Sequence, residues 1–513
     1  MKKLSRLSKI SLLLAVLFTV DKLLGVGRQM IISRQFGLSA ELDVFNAANN
    51  LPDMLFMLIS GGALAIAFIP VLTEVLTKEG RAKAWDLFSN ILNLAFLVTA
   101  ALAVIIAIFA RPLVSGQLGI APGFTPEQID LTVKLLRLNL VATLVFSLSG
   151  LVMAGLQANQ HFLLPALAPI FYDLGQIFGA VVLAPTEPYH IAGITLPAFG
   201  LGVEGLVYGV ILGAVLHLLI QVPGLIKYKF RWHAGINLKS PETKKVLHLM
   251  GPRLVSMLFI QLIFLFQDNL ASRLSTGSVT ALTYGWWIMQ VPETLIGTAI
   301  ATAILPTLSE MFSNKEFDKL KEQIERAAQV MLALTIPVAV IAGTAIFPVI
   351  QTVFGFNLAD TTRVADVTKI FLVGIIGHSL VELNVRSFYA MQKPKFPLIG
   401  SALTFVLFLV LGIVLLPRYE ASGIAAANTI AYSVQAVFLF FLLNKQLPSR
   451  QVVTPSLLRG ILAAVVGGMA VYLVMRFLPG YSGTLVSAVL GAVVGILLAG
   501  VVIRKDLRHL LSL

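Results

Sequence analysis

Long apolar runs, separated by short polar segments, recur along the whole chain. Each run covers about 20 residues or more, which is enough for an α-helix to cross roughly 30 Å of hydrocarbon. Backbone polar groups must be hydrogen-bonded within the protein in lipid, and these runs do not alternate as the strands of a membrane β-barrel do. The pattern therefore predicts an all-α polytopic membrane protein with about 14 transmembrane helices.

The predicted spans are 10–35, 43–72, 84–110, 129–157, 162–184, 200–226, 244–272, 279–312, 325–355, 364–391, 395–417, 421–443, 457–478 and 482–503. Two long spans contain prolines, Pro52 and Pro70 in one and Pro292 and Pro306 in the other. Proline removes a backbone donor and clashes with the preceding turn, so we expect both helices to be bent. The first span imitates a signal peptide but lacks a small-x-small cleavage site, and we expect it to be retained.

Charge is scarce and unevenly placed. Only 12% of the residues are charged and none is cysteine, whereas roughly 25% of an ordinary soluble chain is charged. On the side of the N-terminus the loops carry 24 Lys and Arg residues, against six on the other side. The positive-inside rule then places both termini in the cytoplasm. The basic aromatic stretch 227–233 is interpreted as a juxtamembrane anchor, and no nucleic-acid partner is expected.

Short motifs recur in the same order in the two halves of the chain. Residues 68–74 resemble residues 304–310, and Gln160 and Pro165 correspond to Gln392 and Pro397 at the same spacing. Two parallel six-helix repeats are typical of transporters. The predicted organisation is an N-terminal lobe (1–226), a basic cytoplasmic linker (227–243), a C-terminal lobe (244–444), and two extra helices with a cytoplasmic tail (445–513).

The first two predicted helices contain ionisable residues, which are costly in a membrane unless they face partners or water. The first helix carries Asp21, Lys22 and Arg28, and the second carries Asp43 and Asp53 together with several asparagines. We expect these two helices to line a wet cavity. Lys22 and Arg28 either bind an anionic group such as phosphate or pyrophosphate, or they only neutralise the aspartates.

Other polar residues inside the spans have several interpretations. Glu382 and Arg386 stand four residues apart and are predicted to form an intrahelical ion pair. Gln267 and Asp268 either bind a cation or cap and snorkel at the end of the seventh helix. Trp287 either packs or stacks on a sugar. Two further acids have no partner that the sequence identifies: Asp173 and Glu204.

Eight short segments, spread over essentially the whole chain, resemble segments of a known family. They are 23–28, 36–43, 51–52, 62–70, 250–252, 277–279, 304–309 and 386–390. They resemble the MurJ (MviN) family of the multidrug/oligosaccharidyl-lipid/polysaccharide exporter superfamily. The resemblance implies a bacterial inner-membrane flippase for lipid II, the undecaprenyl-pyrophosphate-linked peptidoglycan precursor, that serves cell-wall synthesis and cell shape. It also implies two six-helix lobes in a V, a lipid-tail groove in the two extra helices, and alternating access driven by membrane potential or a cation gradient.

The resemblance also assigns residues and partners. The cavity residues of the family correspond to Lys22, Arg28 and Asp43, and weaker candidates are Asp21, Asp53, Trp287 and Arg386. The chain departs from the family at Phe56 and Trp287, where arginine is usual, so the substrate is either held differently or different. We expect no cofactor, a lipid-linked glycan as substrate among membrane lipids, and a monomer that acts alone or with the cell-wall synthesis machinery.

Other functions stay open at this point. The chain could flip another polyprenyl-linked saccharide, or act as a drug/cation antiporter of the same superfamily, although Lys22 and Arg28 disfavour a cationic substrate. A membrane enzyme that uses polyprenyl-linked sugars is disfavoured, because the largest outer loops (111–128 and 185–199) lack motifs for metal, nucleotide or nucleophilic chemistry. A non-transporting scaffold is the remaining alternative.

Overall fold

The computed structural model describes residues 6–510 with the exception of residues 62 and 192. Lys2 and Lys3 of the predicted basic tail, and Gly62 of the quoted segment 62–70, lie outside the described residues. Eleven helices of the described residues are long and apolar enough to cross a membrane. This confirms the predicted class, an all-α polytopic membrane protein. The chain forms two compact units, Met1–Arg273 and Leu274–Leu513.

The helices of the first unit are α1 (Arg6–Phe36), α2 (Ala40–Leu55), α3 (Ala63–Lys78), α4 (Arg81–Ile108), α5 (Ala110–Ser115), α6 (Pro126–Ala158), α7 (Leu163–Phe178), α8 (Val203–Leu219), α9 (Val222–Lys227) and α10 (Pro241–Ala271). Two π-helical turns, Phe56–Gly61 and Gly179–Leu183, follow α2 and α7. A short antiparallel hairpin of β1 (His190–Ile191) and β2 (Ile194–Thr195) lies in the loop before α8.

The helices of the second unit are α11 (Ser278–Glu293), α12 (Ala299–Ser313), α13 (Phe317–Phe354), α14 (Leu358–Ala390), α15 (Lys395–Asn444), α16 (Thr454–Phe477), α17 (Pro479–Val502) and α18 (Arg504–Leu510). A third π-helical turn, Thr294–Thr298, joins α11 to α12. The C-terminal helix α18 is attached to α16 by Arg459, which donates to both carboxylate oxygens of Asp506 at 2.7 Å.

Prolines interrupt the two long helices unequally. Helix α2 gives way to the π-helical turn Phe56–Gly61 soon after Pro52, and α11 gives way to Thr294–Thr298 directly after Pro292. A proline removes one helical hydrogen bond, and the local change to π geometry accommodates that loss. Pro70 and Pro306 lie inside α3 and α12, which remain α-helical around them.

The turns at positions aligned by the sequence motifs have the same backbone geometry. Gln160 and Gln392 are both left-handed, with φ of 59° and 56°. The amide of the following residue then donates to a carbonyl five positions earlier, from His161 to Leu156 and from Lys393 to Phe388, at 2.9 Å in both. This is the hydrogen bond of a Schellman-type helix end. Lys229 and Lys315 stand in turns with the same left-handed backbone and the same hydrogen bond. This geometry is therefore shared by several helix ends, and the repeat stays a prediction.

The first compact unit extends beyond the predicted first lobe, because α10 packs on α2 and α3. Near the start of α10, Lys245 donates to Glu74 of α3 at 2.6 Å. Near its end, Asp268 accepts a hydrogen bond from Asn50 of α2 at 2.8 Å. The repeat assigns this helix to the C-terminal lobe, and that functional division, with its linker at 227–243, stays a prediction.

The basic aromatic stretch 227–233 is attached to α4 by its aromatic side chains. Phe230 packs edge-on against Trp85 and Phe88, with ring centroids 5.2 Å and 5.0 Å apart. Trp85 Nε1 also donates to the carbonyl of Tyr228 at 3.1 Å. The three Lys and Arg residues between these aromatic positions are exposed. Tyr228 and Phe230 therefore pack on protein, whereas the cations and the 59% exposed Trp232 are the parts of the stretch that a charged lipid surface can reach.

Glycines bring α7 and α8 into backbone contact. A Cβ atom on Gly175 would lie 2.4 Å from Gly213 Cα, and one on Gly179 would lie 2.6 Å from Gly209 Cα. The glycines stand four residues apart on each helix, which is the small-residue spacing that lets membrane helices approach closely. A Cβ on Gly213 would also lie 2.5 Å from the carbonyl oxygen of Tyr172. This glycine seam (Gly175, Gly179, Gly209 and Gly213) therefore fixes the position of α7.

We predict that Gly213→Val lowers the melting temperature of the purified protein in detergent. The added side chain has no space at the seam, and overpacking of this kind costs about 1–3 kcal/mol or more. Thermal unfolding followed by tryptophan fluorescence measures the effect. Gly251→Ala in α10 is the matched control, because a Cβ there meets nothing within 4 Å. If the Gly213→Val protein melts at the same temperature as the wild type, the backbone contact assigned to the glycine seam is wrong.

Candidate substrate-binding site

Arg28 of α1 is paired with an acid on α7. Its Nη1 donates to Asp173 Oδ1 at 2.6 Å, and the two side chains are only 18% and 8% exposed. Gly25 of α1 lies beside the same carboxylate, since a Cβ there would be in van der Waals contact with Asp173 Oδ2 at 3.5 Å. A charge-assisted hydrogen bond of this length is strong in such a setting. Asp173, which the sequence analysis left without a partner, is therefore the counter-ion of Arg28.

Lys22 is an exposed cation on the same helix. Its side chain is 79% exposed, and its Nζ lies 3.6 Å from the carboxylate of the neighbouring Asp21. A contact of this kind contributes little, because water screens it and the long side chain remains mobile. Both residues also interact electrostatically with Asp173. Helix α1 thus presents one exposed cation, Lys22, and one largely buried cation with a partner, Arg28.

The polar residues of α2 are held by neighbouring helices of the first unit. Asn49 accepts a hydrogen bond from Asn139 of α6 at 2.6 Å, and Asn50 donates to Asp268 of α10 at 2.8 Å. Asp43 is 2% exposed and interacts electrostatically with Asp268. Two asparagines of α2 are therefore hydrogen-bonded to neighbouring helices, and Asp43 is a buried acid of the same helix whose charge repels that of Asp268.

Phe56 stands at the position where the family resemblance leads us to expect an arginine, and it is one of three aromatic residues in contact. Phe56 packs on Phe146 of α6 with ring centroids 5.2 Å apart, and Phe146 packs edge-on against Tyr172 at 5.0 Å. Tyr172 in turn interacts electrostatically with Arg28 and Asp53, and Asp53 is exposed. The side chain of Phe56 is therefore part of an aromatic contact between α6, α7 and the turn after α2. We name the charged group the α1–α7 cluster: Asp21, Lys22, Arg28, Asp53, Tyr172 and Asp173.

The second unit holds a separate charged group. Arg386 Nη1 lies 2.8 Å from Glu382 Oε2, which confirms the predicted intrahelical ion pair, and it also donates to the carbonyl of Thr298 at 3.3 Å. Glu293 interacts electrostatically with both residues of the pair. The sequence analysis missed Glu293, although an acid directly after Pro292 in the eighth span repeats the Pro52–Asp53 pair of the second. Trp287 is half-buried on α11.

The two residues considered as weak candidates for a cation site lie at the packed end of α10. Gln267 and Asp268 are 3% and 7% exposed, and Asp268 already accepts a hydrogen bond from Asn50. The neighbouring Asn269 donates to the carbonyl of Gln117 in the loop after α5 at 3.0 Å. In the part of the chain that the structure describes, no group of three or more His, Cys, Asp or Glu residues is arranged to hold a metal ion.

Comparison with solved structures defines the class of protein. An inward-facing multidrug resistance MATE family transporter of the MOP superfamily has a TM-score of 0.64 at 16% identity, over 83% of this chain and 94% of that chain. A lipid II flippase MurJ in an inward closed conformation has a TM-score of 0.78 at 21% identity, over 96% of this chain and 99% of that chain. The fold is that of a multi-pass membrane transporter.

Comparison of sequences gives the family. The family described as lipid II flippase MurJ matches residues 32–491. A lipid II flippase MurJ from Burkholderia cenocepacia is 28% identical over 439 residues, which are 83% of this chain and 82% of that protein. A probable lipid II flippase MurJ from Rhizobium tropici is 28% identical over 499 residues, which are 93% of this chain and 90% of that protein. The chain belongs to the lipid II flippase MurJ family and is a transporter, not an enzyme.

We predict that Asp173→Ala lowers the free energy of unfolding by about 3–5 kcal/mol, because it leaves the guanidinium of Arg28 buried without its partner. The double variant with Arg28→Ala should lose less than the sum of the two single variants. Thermal unfolding of the four proteins measures this coupling as a double-mutant cycle. Lys22→Ala, at an exposed position, is the control and should change little. Additive losses would show that the two side chains do not interact.

Proposed function

We propose that this chain moves lipid II from the cytoplasmic to the outer leaflet of the bacterial plasma membrane by alternating access, and so supplies cell-wall synthesis. Its membership of the MurJ family supports this function. The observation that carries the mechanism is that two cations of α1 interact electrostatically with Asp173: the exposed Lys22, and Arg28, which is held by that single carboxylate. A pyrophosphate needs several cationic donors, and these two lie on one helix.

In the proposed mechanism Lys22 makes the first contact and Arg28 the stronger one. Lys22 acts as a mobile point charge, whereas the planar guanidinium of Arg28 can pair with either a carboxylate or a phosphate. Arg28 therefore exchanges Asp173 for a phosphate oxygen when the substrate binds. The exchange leaves Asp173 without its counter-ion. This limits the net affinity of the site for the substrate and favours release of the substrate. Asp43 acts indirectly, since it is a buried acid of α2 whose charge repels that of Asp268.

The aromatic residues favour a second candidate substrate within the same class. Where family members commonly have arginines, Phe56 and Trp287 leave the chain with fewer cations, and Phe56 belongs to an aromatic chain with Phe146 and Tyr172. Aromatic faces present a large apolar surface of the kind on which sugar rings stack. A polyprenyl-linked saccharide other than lipid II is therefore the alternative substrate. Asp21, Asp53 and Arg386 remain weaker candidates for contact with it.

We also propose that the chain crosses the membrane fourteen times with both termini in the cytoplasm. Helix α15 alone has 50 residues, and Glu420 inside it has a non-helical backbone (φ 48°, ψ −132°). At 1.5 Å per residue this helix far exceeds a membrane of roughly 30 Å, so it supplies two spans. Together with α1 and the α2–α3 pair, this extends the eleven candidate spans to fourteen. The excess of Lys and Arg on one side supports the orientation.

The proposed function is tested by complementation of a bacterial strain depleted of its own lipid II flippase. We predict that the wild-type chain restores growth, that Arg28→Ala abolishes rescue, and that Lys22→Gln weakens it, because both remove a phosphate contact. Lys319→Gln is the matched control, since Lys319 is 65% exposed and belongs to the second unit. A wild type that reaches the membrane but fails to rescue would exclude lipid II. Rescue by both α1 variants would exclude the assigned site.

The topology is tested by single cysteines, because the chain contains none. We predict that cysteines at positions 187 and 419 react with a membrane-impermeant maleimide in intact spheroplasts. Cysteines at positions 239 and 449 should react only after the membrane is permeabilised, since these loops belong to the positively charged side. All four positions are exposed in the structure. Labelling of position 239 in intact cells would overturn the orientation, and equal labelling of positions 419 and 449 would overturn the division of α15.

A further inference from the structure

A cavity of about 530 Å³ lies between the end of α3, the start of α4 and the segment 233–242 that leads into α10. Two asparagines of α4 hold this segment in place. Asn90 donates to the carbonyl of Asn237 at 3.0 Å and accepts from its amide at 2.5 Å, and Asn93 donates to two carbonyls of the segment at 2.8 Å and 3.0 Å. One wall of the cavity is therefore fixed by hydrogen bonds to a helix, and the volume is that of a small-molecule site.

Acids outnumber cations in the walls of this cavity. Glu79, Asp86 and Glu242 contribute carboxylates, and Lys83 contributes one ammonium group. Lys83 donates to Glu79 at 2.7 Å and so neutralises that acid. Three negative charges and one positive charge give the walls a formal charge of −2 while His233 is neutral.

Two of these acids lack a lysine or arginine partner. Asp86 lies 3.7 Å from the Nδ1 of His233, and both side chains are about half exposed or more. Glu242, at the start of α10, forms no hydrogen bond or ion pair with the residues that the structure describes and acts on Lys83 only through its charge. Carboxylates of this kind are available to a positively charged ligand.

The charge of the cavity is opposite to that of its surroundings. The segment 227–245 carries six Lys and Arg residues, and these attract anions. A cation that approaches this side of the protein is repelled by the exposed lysines and arginines and attracted by the cavity. The local field therefore directs a cation to the cavity and not to the rest of this surface.

The spacing of the acids favours an extended cation over a metal ion. Four residues of metal-binding types line the cavity, yet in the described part of the chain no three His, Cys, Asp or Glu residues stand close enough to hold one ion. The same walls include the apolar side chains of Val75, Leu87 and Ile236. A chain of methylene groups covers apolar surface of this kind while its charged ends reach polar groups, as the lysine side chain does in proteins.

We propose that this cavity binds an aliphatic polyamine, with its ammonium groups on Glu242 and Asp86 and its methylene chain on the apolar wall. Because α4 and the start of α10 both line the cavity, the bound polyamine joins them and stabilises the attachment of the segment between them. The site shares no residue with the α1–α7 cluster, so the proposal is independent of the proposed function.

Spermidine is the probe, and its binding to the full-length protein in detergent is measured by equilibrium dialysis and by thermal unfolding. We predict saturable binding and a higher melting temperature in spermidine than in sodium chloride of equal ionic strength, because a bound ligand stabilises the folded state. Glu242→Gln should weaken the apparent affinity by about tenfold or more, since it removes a charge-assisted hydrogen bond. Asp86→Asn should weaken it in the same direction.

Glu127→Gln is the matched control. Glu127 follows Pro126 at the start of α6 as Glu242 follows Pro241 at the start of α10. Both changes therefore remove the same favourable interaction of an acid with a helix N-terminus. Glu127→Gln should bind spermidine like the wild type, and the comparison separates loss of the ligand from loss of helix stability.

Three results would overturn the proposal. The first is an equal rise in melting temperature with magnesium chloride of the same ionic strength and no saturable binding of spermidine, which would show general screening of charge. The second is an unchanged affinity for spermidine in both Glu242→Gln and Asp86→Asn, which would place the bound polyamine elsewhere. The third is binding of trilysine without binding of spermidine, which would assign the cavity to a basic segment of another protein.

Discussion

The ion pair between Arg28 and Asp173 is the interaction on which the candidate site of the first unit depends. A guanidinium on a membrane helix is tolerated only with a partner or water, and here the partner is a carboxylate on another helix. The position of that carboxylate is in turn set by packing, because the glycine seam holds α7 directly against α8. The backbone contact between α7 and α8 thus fixes the position of Asp173, which is the counter-ion of Arg28 on α1.

Such a pair is better explained by function than by stability. Desolvation of two charges offsets much of their attraction, so apolar residues of similar size would often stabilise the helices as well or better. A guanidinium held by one carboxylate can, however, exchange that partner for a phosphate of similar geometry. Lys22 on the same helix is exposed, and in the proposed mechanism it adds the charge that the substrate meets first.

Hydrophobic patterning predicted the helices closely, whereas the partners of the charged residues depended on tertiary packing. The predicted span 129–157 is observed as Pro126–Ala158, and 244–272 as Pro241–Ala271, because membrane thickness dictates where apolar runs begin and end. The pair Glu382–Arg386 was predictable, since a spacing of four is local to one helix. Arg28 and Asp173 are 145 residues apart, and only the close approach of α1 and α7 reveals their contact.

The repeat places chemically different groups at comparable positions of the two halves. Pro52–Asp53 and Pro292–Glu293 each precede a π-helical turn. In the first unit the acid belongs to the α1–α7 cluster, which has two cations and three acids. In the second unit the acid belongs to a group of two acids and one cation. The formal charge of both groups is −1, and the first is distinguished by its exposed cation, Lys22. Each acid therefore stands beside the turn of its helix that can change geometry, because the carbonyls and side chains of a π-helical turn shift if the helix returns to α geometry.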